Sequence, residues 1–172
     1  MLNDDALIAA TVVKDAVANI IEYVEAASAS LPGSDVDEFR REVNETVLAF
    51  IAHLITADGV YDPRERAFLK QLVDFGQEPN AELDYLRRYT ERWRKLEQHV
   101  PEFFRAAVES DVKNKTETAR GIMQEIQIIG NNCSVTDHHF ADVEKKVIRR
   151  YLRFLDNHLD RLAGDKTTWL EP

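Results

Sequence analysis

Cysteine, glycine and proline are all scarce in this chain of 172 residues: one Cys, 6 Gly and 5 Pro. A lone thiol, Cys133, forms no intrachain disulfide, and zinc sites built on cysteine pairs need more thiolates than it offers. So few glycines and prolines leave little material for the many turns of an all-β fold. No β-branched alternating run is present, and no stretch approaches the roughly 18 to 20 unbroken apolar residues of a spanning helix. The opening, Met1-Leu2-Asn3-Asp4-Asp5, lacks the basic and apolar regions of a signal peptide, so the chain reads as cytoplasmic. Bases are in the minority as well: 22 against 31 acids, for a formal charge of −9. That balance speaks against a general nucleic-acid binder and against an electrostatic membrane anchor. No Gly-rich phosphate loop supports nucleotide binding. Neither Glu-x-x-His nor His-Glu-x-x-His occurs, which removes the carboxylate-bridged di-metal and zinc-hydrolase patterns.

What is present is helical periodicity. Hydrophobic residues make up 44% and charged residues 31% of the chain, the balance of an ordinary globular domain of one core. The expected fold is all-α, a single domain over 1–172 with about seven helices. The N-terminal helix, within 1–30, carries Leu7, Ala10, Val13, Val17, Ile20 and Val24 at steps of three or four. Ser30-Leu31-Pro32-Gly33-Ser34 ends it. A first hairpin covers 36–75: one helix from Val36, with Asp35 and Glu38 at capping-box spacing, and another from Pro63 to about Phe75. Middle helices fill 80–110. The first presents Leu83, Leu86, Tyr89, Trp93 and Leu96; the second is short, with Pro101 as its first helical residue.

A second hairpin covers 116–162. Its first helix runs from Thr116 to Ile129 and ends at Gly130-Asn131-Asn132; its second starts at Asp137, capped by Thr136. That last helix is apolar over a wide arc, with Phe140, Val143, Val147, Tyr151 and Phe154 on one side and Ile148, Leu152, Leu155 and Leu159 on the other. Such an arc places it centrally, with neighbours on both sides. Sliding the first hairpin onto the second lays Leu54 on Ile128, Asp58 on Asn132, Leu69 on Val143 and Val73 on Val147. The two hairpins therefore read as a faint repeat about a pseudo-two-fold axis.

The segment from Phe50 to Glu65 carries the chemistry. Asp58, Asp62 and Glu65 place three carboxylates around a tight interhelical loop, and Gly59 lets the chain reverse. Carboxylate and carbonyl oxygens together suit a hard cation such as Ca²⁺, although the spacing is not that of an EF-hand. The same residues also make a good helix start, with Asp62 as N-cap, Pro63 next and Glu65 at the third position. Both readings stand, since one oxygen of a capping carboxylate leaves the other for a ligand.

Ala57-Asp58-Gly59 followed by Asp62-Pro63-Arg64-Glu65, between two apolar helices, resembles the signature of the tellurite-resistance TerB-like family over 50–73, with an echo at 123–148. The resemblance implies a bacterial, all-helical, non-enzymatic domain tied to stress responses and metal-ion chemistry. It implies a divalent cation, Ca²⁺ or Mg²⁺, at acidic loops, and a protein partner that in some members is membrane-associated. On it, Asp58, Asp62 and Glu65 are the acidic positions. The second loop departs from the pattern: Asn131-Asn132 and then Asp137 stand where Asp-Gly and a later Glu would repeat. Asn132 and Asp137 are the candidate ligands there, and they bring less charge. The alternative from another class is a structural interaction module with no ion site, its loop acids serving only as caps.

Other side chains read blandly. His138 and His139, adjacent on a helix, point about 100° apart and serve one ion poorly. Cys133 beside Ser134 reads as a small loop residue without an adjacent base. Two basic runs, Arg87-Arg88 through Arg92, Arg94 and Lys95, and Lys145-Lys146 with Arg149, Arg150 and Arg153, read as solvated helix faces.

Overall fold

The computed structural model describes residues 2–135 and 142–163. Among them the chain forms seven helices and no strand: α1 Leu2–Ala29, α2 Val36–Ile55, α3 Pro63–Leu72, α4 Ala81–Leu96, α5 Glu102–Asn114, α6 Thr118–Val135 and α7 Asp142–Ala163. The all-α class expected from the sequence is what the chain adopts.

α1 lies against α2, α3, α5 and α6. Its inward stripe is built largely of alanine: Ala6, Ala9, Ala10, Ala16 and Ala27 are buried with Val13, Ile20 and Val24. Such short side chains let neighbouring backbones come close, so one helix can serve several partners. Against α6 it runs antiparallel, with Asn19 Nδ2 donating to Glu125 Oε1 at 3.2 Å and Gly121 beneath the Tyr23 ring. Leu7, placed on this stripe by its spacing, is 52% exposed instead, and Ala6 and Ala9 take its place. Among the described residues α1 thus makes the more extensive close backbone approach to its neighbours, while α7 reaches α2 and α4 through its rings.

The helix starts show local chemistry where it exists and borrowed chemistry where it does not. Asp35 caps α2, its carboxylate accepting from the N–H groups of Asp37 and Glu38. α5 has no side chain of its own for this, because its N-cap is Pro101. Glu42 of α2 takes over, one oxygen accepting from Glu102 N–H and the other from Phe103 N–H, both at 2.9 Å. Pro101 is therefore the N-cap and not the first helical residue. α5 is also 13 residues long rather than short. The start of α6 is satisfied from α5, where Asp111 accepts from Thr118 N–H and Ala119 N–H, each at 2.8 Å.

α7 joins the rest through aromatic rings. Tyr151 meets Trp93 of α4 edge-on, 4.7 Å between centroids, and Phe50 of α2 at 5.6 Å. Phe50 and Trp93 are themselves 5.2 Å apart. Burial of rings this large accounts for much of the attachment, since each removes roughly 150–250 Å² from water. Val143 departs from the expected inward face and is 44% exposed; Leu83 of α4 is likewise 52% exposed.

The main correction concerns α6. It does not end at Ile129 but continues through Gly130, Asn131 and Asn132 to Val135. Gly130 is there for packing: a Cβ on it would stand 2.8 Å from Cδ1 and Cγ1 of Ile148 on α7. Cys133, expected in a loop, is buried on this helix. The expected start of the last helix at Thr136 and Asp137, with His138, His139 and Phe140, lies outside the described residues.

Gly130→Ala is therefore expected to lower the thermal midpoint, although Gly→Ala inside a helix ordinarily stabilises by roughly 1 kcal/mol. Overpacking against buried Ile148 should outweigh that by about 1–2 kcal/mol. In an Ile148→Ala background the same methyl enters vacated space and should stabilise. A midpoint that rises in both backgrounds refutes the packing role.

Candidate functional site

The turn between α2 and α3 is built by short-range hydrogen bonds. α2 closes at Thr56, whose hydroxyl donates to Ala52 O at 2.8 Å. Gly59 then adopts φ +80, a left-handed conformation that other residues enter only at a cost. Asp58 Oδ1 accepts from Val60 N–H at 2.8 Å, which fixes the carboxylate over its own turn. Asp62 Oδ1 accepts from Arg64 N–H at 2.6 Å and Glu65 N–H at 3.0 Å, and Glu65 Oε2 accepts from Asp62 N–H at 2.9 Å. This reciprocal pair is the capping box expected from the sequence. A second tie holds the turn to α4: the Tyr61 hydroxyl donates to Glu82, which also pairs with Arg66 Nε at 3.3 Å.

Burial separates the three acids. Asp58 is exposed, Asp62 half-buried, and Glu65 only 4% exposed. Glu65 is inward because Phe68 and Leu69, three and four residues on, are the buried face of α3. Withdrawal from water pushes its carboxyl up to about 8, and the negative charges of Asp62, Asp58 and Glu144 act in the same direction; only the Asp62 N–H opposes them. At neutral pH Glu65 is therefore mostly protonated.

Glu144 is the member that loop-centred sequence reasoning missed. It lies in the first turn of α7 and is 3% exposed. Its position follows the rule that places Glu65, with buried Val147 and Ile148 three and four residues on. The available signal was an acid inside an apolar stripe, not an acid in a loop. Cys133 of α6 lies within electrostatic reach of both glutamates, and burial raises its thiol well above the usual range, so it stays protonated. The junction thus gathers the start of α3, the end of α6 and the start of α7.

The second-loop candidates fare differently. Asn132 is helical, and its Nδ2 donates to Ile128 O at 2.8 Å. Asp137 lies outside the described residues. Asp58, Asp62 and Glu65 each commit one oxygen to backbone N–H groups, and among the described residues the other oxygen has no hydrogen-bond partner. Among the described residues no three His, Cys, Asp or Glu side chains form a group that could hold a metal ion. No helix among them is long and apolar enough to cross a membrane. Comparison with protein-family models, curated proteins and solved structures finds no match.

The raised Glu65 carboxyl sets a direction for stability against pH. The folded state holds this proton up to about 8, whereas an unfolded glutamate releases it near 4.3. Stability from this group is therefore full below the unfolded value and is lost as pH rises through about 8. Glu65→Gln keeps an oxygen for the Asp62 N–H and removes the titration. Denaturant unfolding across this window should show a shallower decline for the variant, by at most about 1.4 kcal/mol per pH unit. The variant should be the more stable protein above pH 8. Equal slopes refute a buried, protonated Glu65.

Proposed function

We propose that the chain is a non-enzymatic, TerB-like helical domain of the bacterial cytoplasm, tied to stress and tellurite resistance and working with a protein partner, whose acidic junction takes a divalent cation, Ca²⁺ or Mg²⁺. The observation that carries this reading is buried Glu65, pressed by the negative charges of Asp58, Asp62 and Glu144. A carboxyl in that field is neutralised either by a proton or by a cation, and a divalent ion relieves all the neighbouring acids together. Asp58, Asp62 and Glu65 carry oxygens of the hard type such an ion takes, and binding would have to draw together carboxylates that do not converge in the structure. The non-enzymatic part is supported by two side chains with nucleophile or base chemistry. Cys133 is buried as a thiol, and His53 is half-buried, stacked on Trp93 at 5.8 Å and held below its usual pKa by burial.

Titrating Ca²⁺ or Mg²⁺ into chelator-treated protein should release heat with Kd on the order of 10⁻⁴ to 10⁻³ M. Saturation at a hundredfold excess over Kd should raise stability by about 2.7 kcal/mol. Asp58→Ala, at an exposed position, should abolish the heat with little loss of fold. Absence of both heat and melting shift at saturating ion overturns the cation reading.

A second reading, a helical interaction module whose loop acids act only as caps, is favoured by the complete capping box of α3. It expects Asp62→Ala to cost about 1 kcal/mol in unfolding experiments, with the same stability in the presence and absence of either ion. An ion response that disappears in Asp62→Ala refutes it.

A further inference from the structure

The two basic runs on α4 and α7 are largely exposed, and the α7 run borders a pocket of about 260 Å³ lined by Trp93, Glu97 and Gln98 from one side and Val147, Arg150, Tyr151 and Phe154 from the other. Arg150 is the basic residue of that lining, while Arg92 of the α4 run pairs with Glu45 of α2 instead. Its floor is aromatic, with Trp93 and Tyr151 packed edge-on at 4.7 Å and Phe154 stacked on Tyr151 at 6.4 Å. At the rim, Arg150 Nη2 pairs with Glu97 Oε2 at 2.6 Å. Arg94 stands close enough to act, together with Arg150, on His53, which stacks on Trp93. Lys146 and Arg153 are exposed on α7 about one turn before and after Arg150. One turn before Val147, exposed Val143 extends the apolar edge.

We propose that this pocket docks an acidic segment of a protein partner, which inserts one large aromatic or aliphatic side chain. A volume of about 260 Å³ falls below the roughly 300–1,000 Å³ of small-molecule sites and suits a single anchor side chain. Aromatic walls give such an anchor its binding energy. The bases select what flanks it: Arg94, Lys146 and Arg153 form no ion pair with a described residue, on a chain whose net charge is −9. Their field favours acidic flanks and rejects basic ones. A second copy of this chain is the competing occupant, and the test below separates it from a partner segment. The proposal does not rest on the cation reading, since the pocket shares no residue with Asp58, Asp62, Glu65 or Glu144.

The test is selection of a random display library of about 12 residues on the full chain. Binding of the selected peptides is then measured to wild type, to Phe154→Ala, and to the double variant Lys146→Glu with Arg153→Glu. Enriched peptides should share one aromatic or leucine residue between acids, bind more weakly as salt rises, and lose at least about tenfold in affinity to each variant. The charge-reversal variant changes only exposed side chains, so an unchanged melting curve keeps its result decisive if Phe154→Ala unfolds. Three results overturn the proposal: no shared acidic-aromatic pattern, undiminished binding to the charge-reversal variant, or self-association of wild type that this variant abolishes. The last would make a second copy the occupant.

Discussion

Close approach of α1 to its neighbours is the constraint on which the remaining helices depend. The alanines at 6, 9, 10, 16 and 27 contribute little apolar area each, but they let α2, α3, α5 and α6 assemble around one axis. α3 needs this most. It has 10 residues and buries only Glu65, Phe68 and Leu69, too short and too sparsely packed to persist by itself. What holds it is contact with α1, the capping box at its start and the Tyr61–Glu82 tie to α4. The geometry of the acidic turn is therefore inherited in part from an alanine stripe two helices earlier in the sequence.

The turn itself places two demands on the same residues. Helix initiation needs carboxylates at Asp62 and Glu65 to receive orphan N–H groups. Packing needs the Glu65 side chain inside, beside Phe68 and Leu69. Glu144 brings a second inward carboxyl from α7 to the same place. Capping satisfies one oxygen per group but does not remove the cost of gathering negative charge away from water. A proton on Glu65 meets that cost in the ion-free protein. This is the physical basis for regarding the junction as responsive, where an equally well capped turn on the surface would be inert.

Legibility in the sequence followed the range of the cause. α2 and the start of α3 were readable because Asp35, Asp62 and Glu65 act on N–H groups two or three residues away, and Pro63 suits the first helical position. The end of α6 was misread because Gly130 looks like a stop signal, while its real cause is Ile148 on another helix. Pro101 was assigned one position too far into its helix for a similar reason: the capping carboxylate comes from Glu42, 60 residues earlier. Of the candidate site, Asp58, Asp62 and Glu65 were legible as a cluster along the chain. Their unequal burial was not, nor was Glu144, because both depend on which face of α3 meets α1 and which face of α7 meets α6. Asn132 was nominated on the premise of a loop that the helix occupies.

Net charge is a poor description of this surface. The excess of acids giving −9 hides two local fields of opposite sign, one at the α2–α3 turn and one beside the α4–α7 pocket. The same two helices carry both. α4 receives the acidic turn through Glu82 near its start and supplies Trp93 near its end. α7 sends Glu144 to the junction from its first turn and lines the pocket with Val147, Arg150, Tyr151 and Phe154 over the next two turns. Glu144 and the pocket-lining residues of α7 thus stand on one continuous helix, about one to three turns apart. The arrangement makes these sites structural neighbours through shared elements, even though they share no residue.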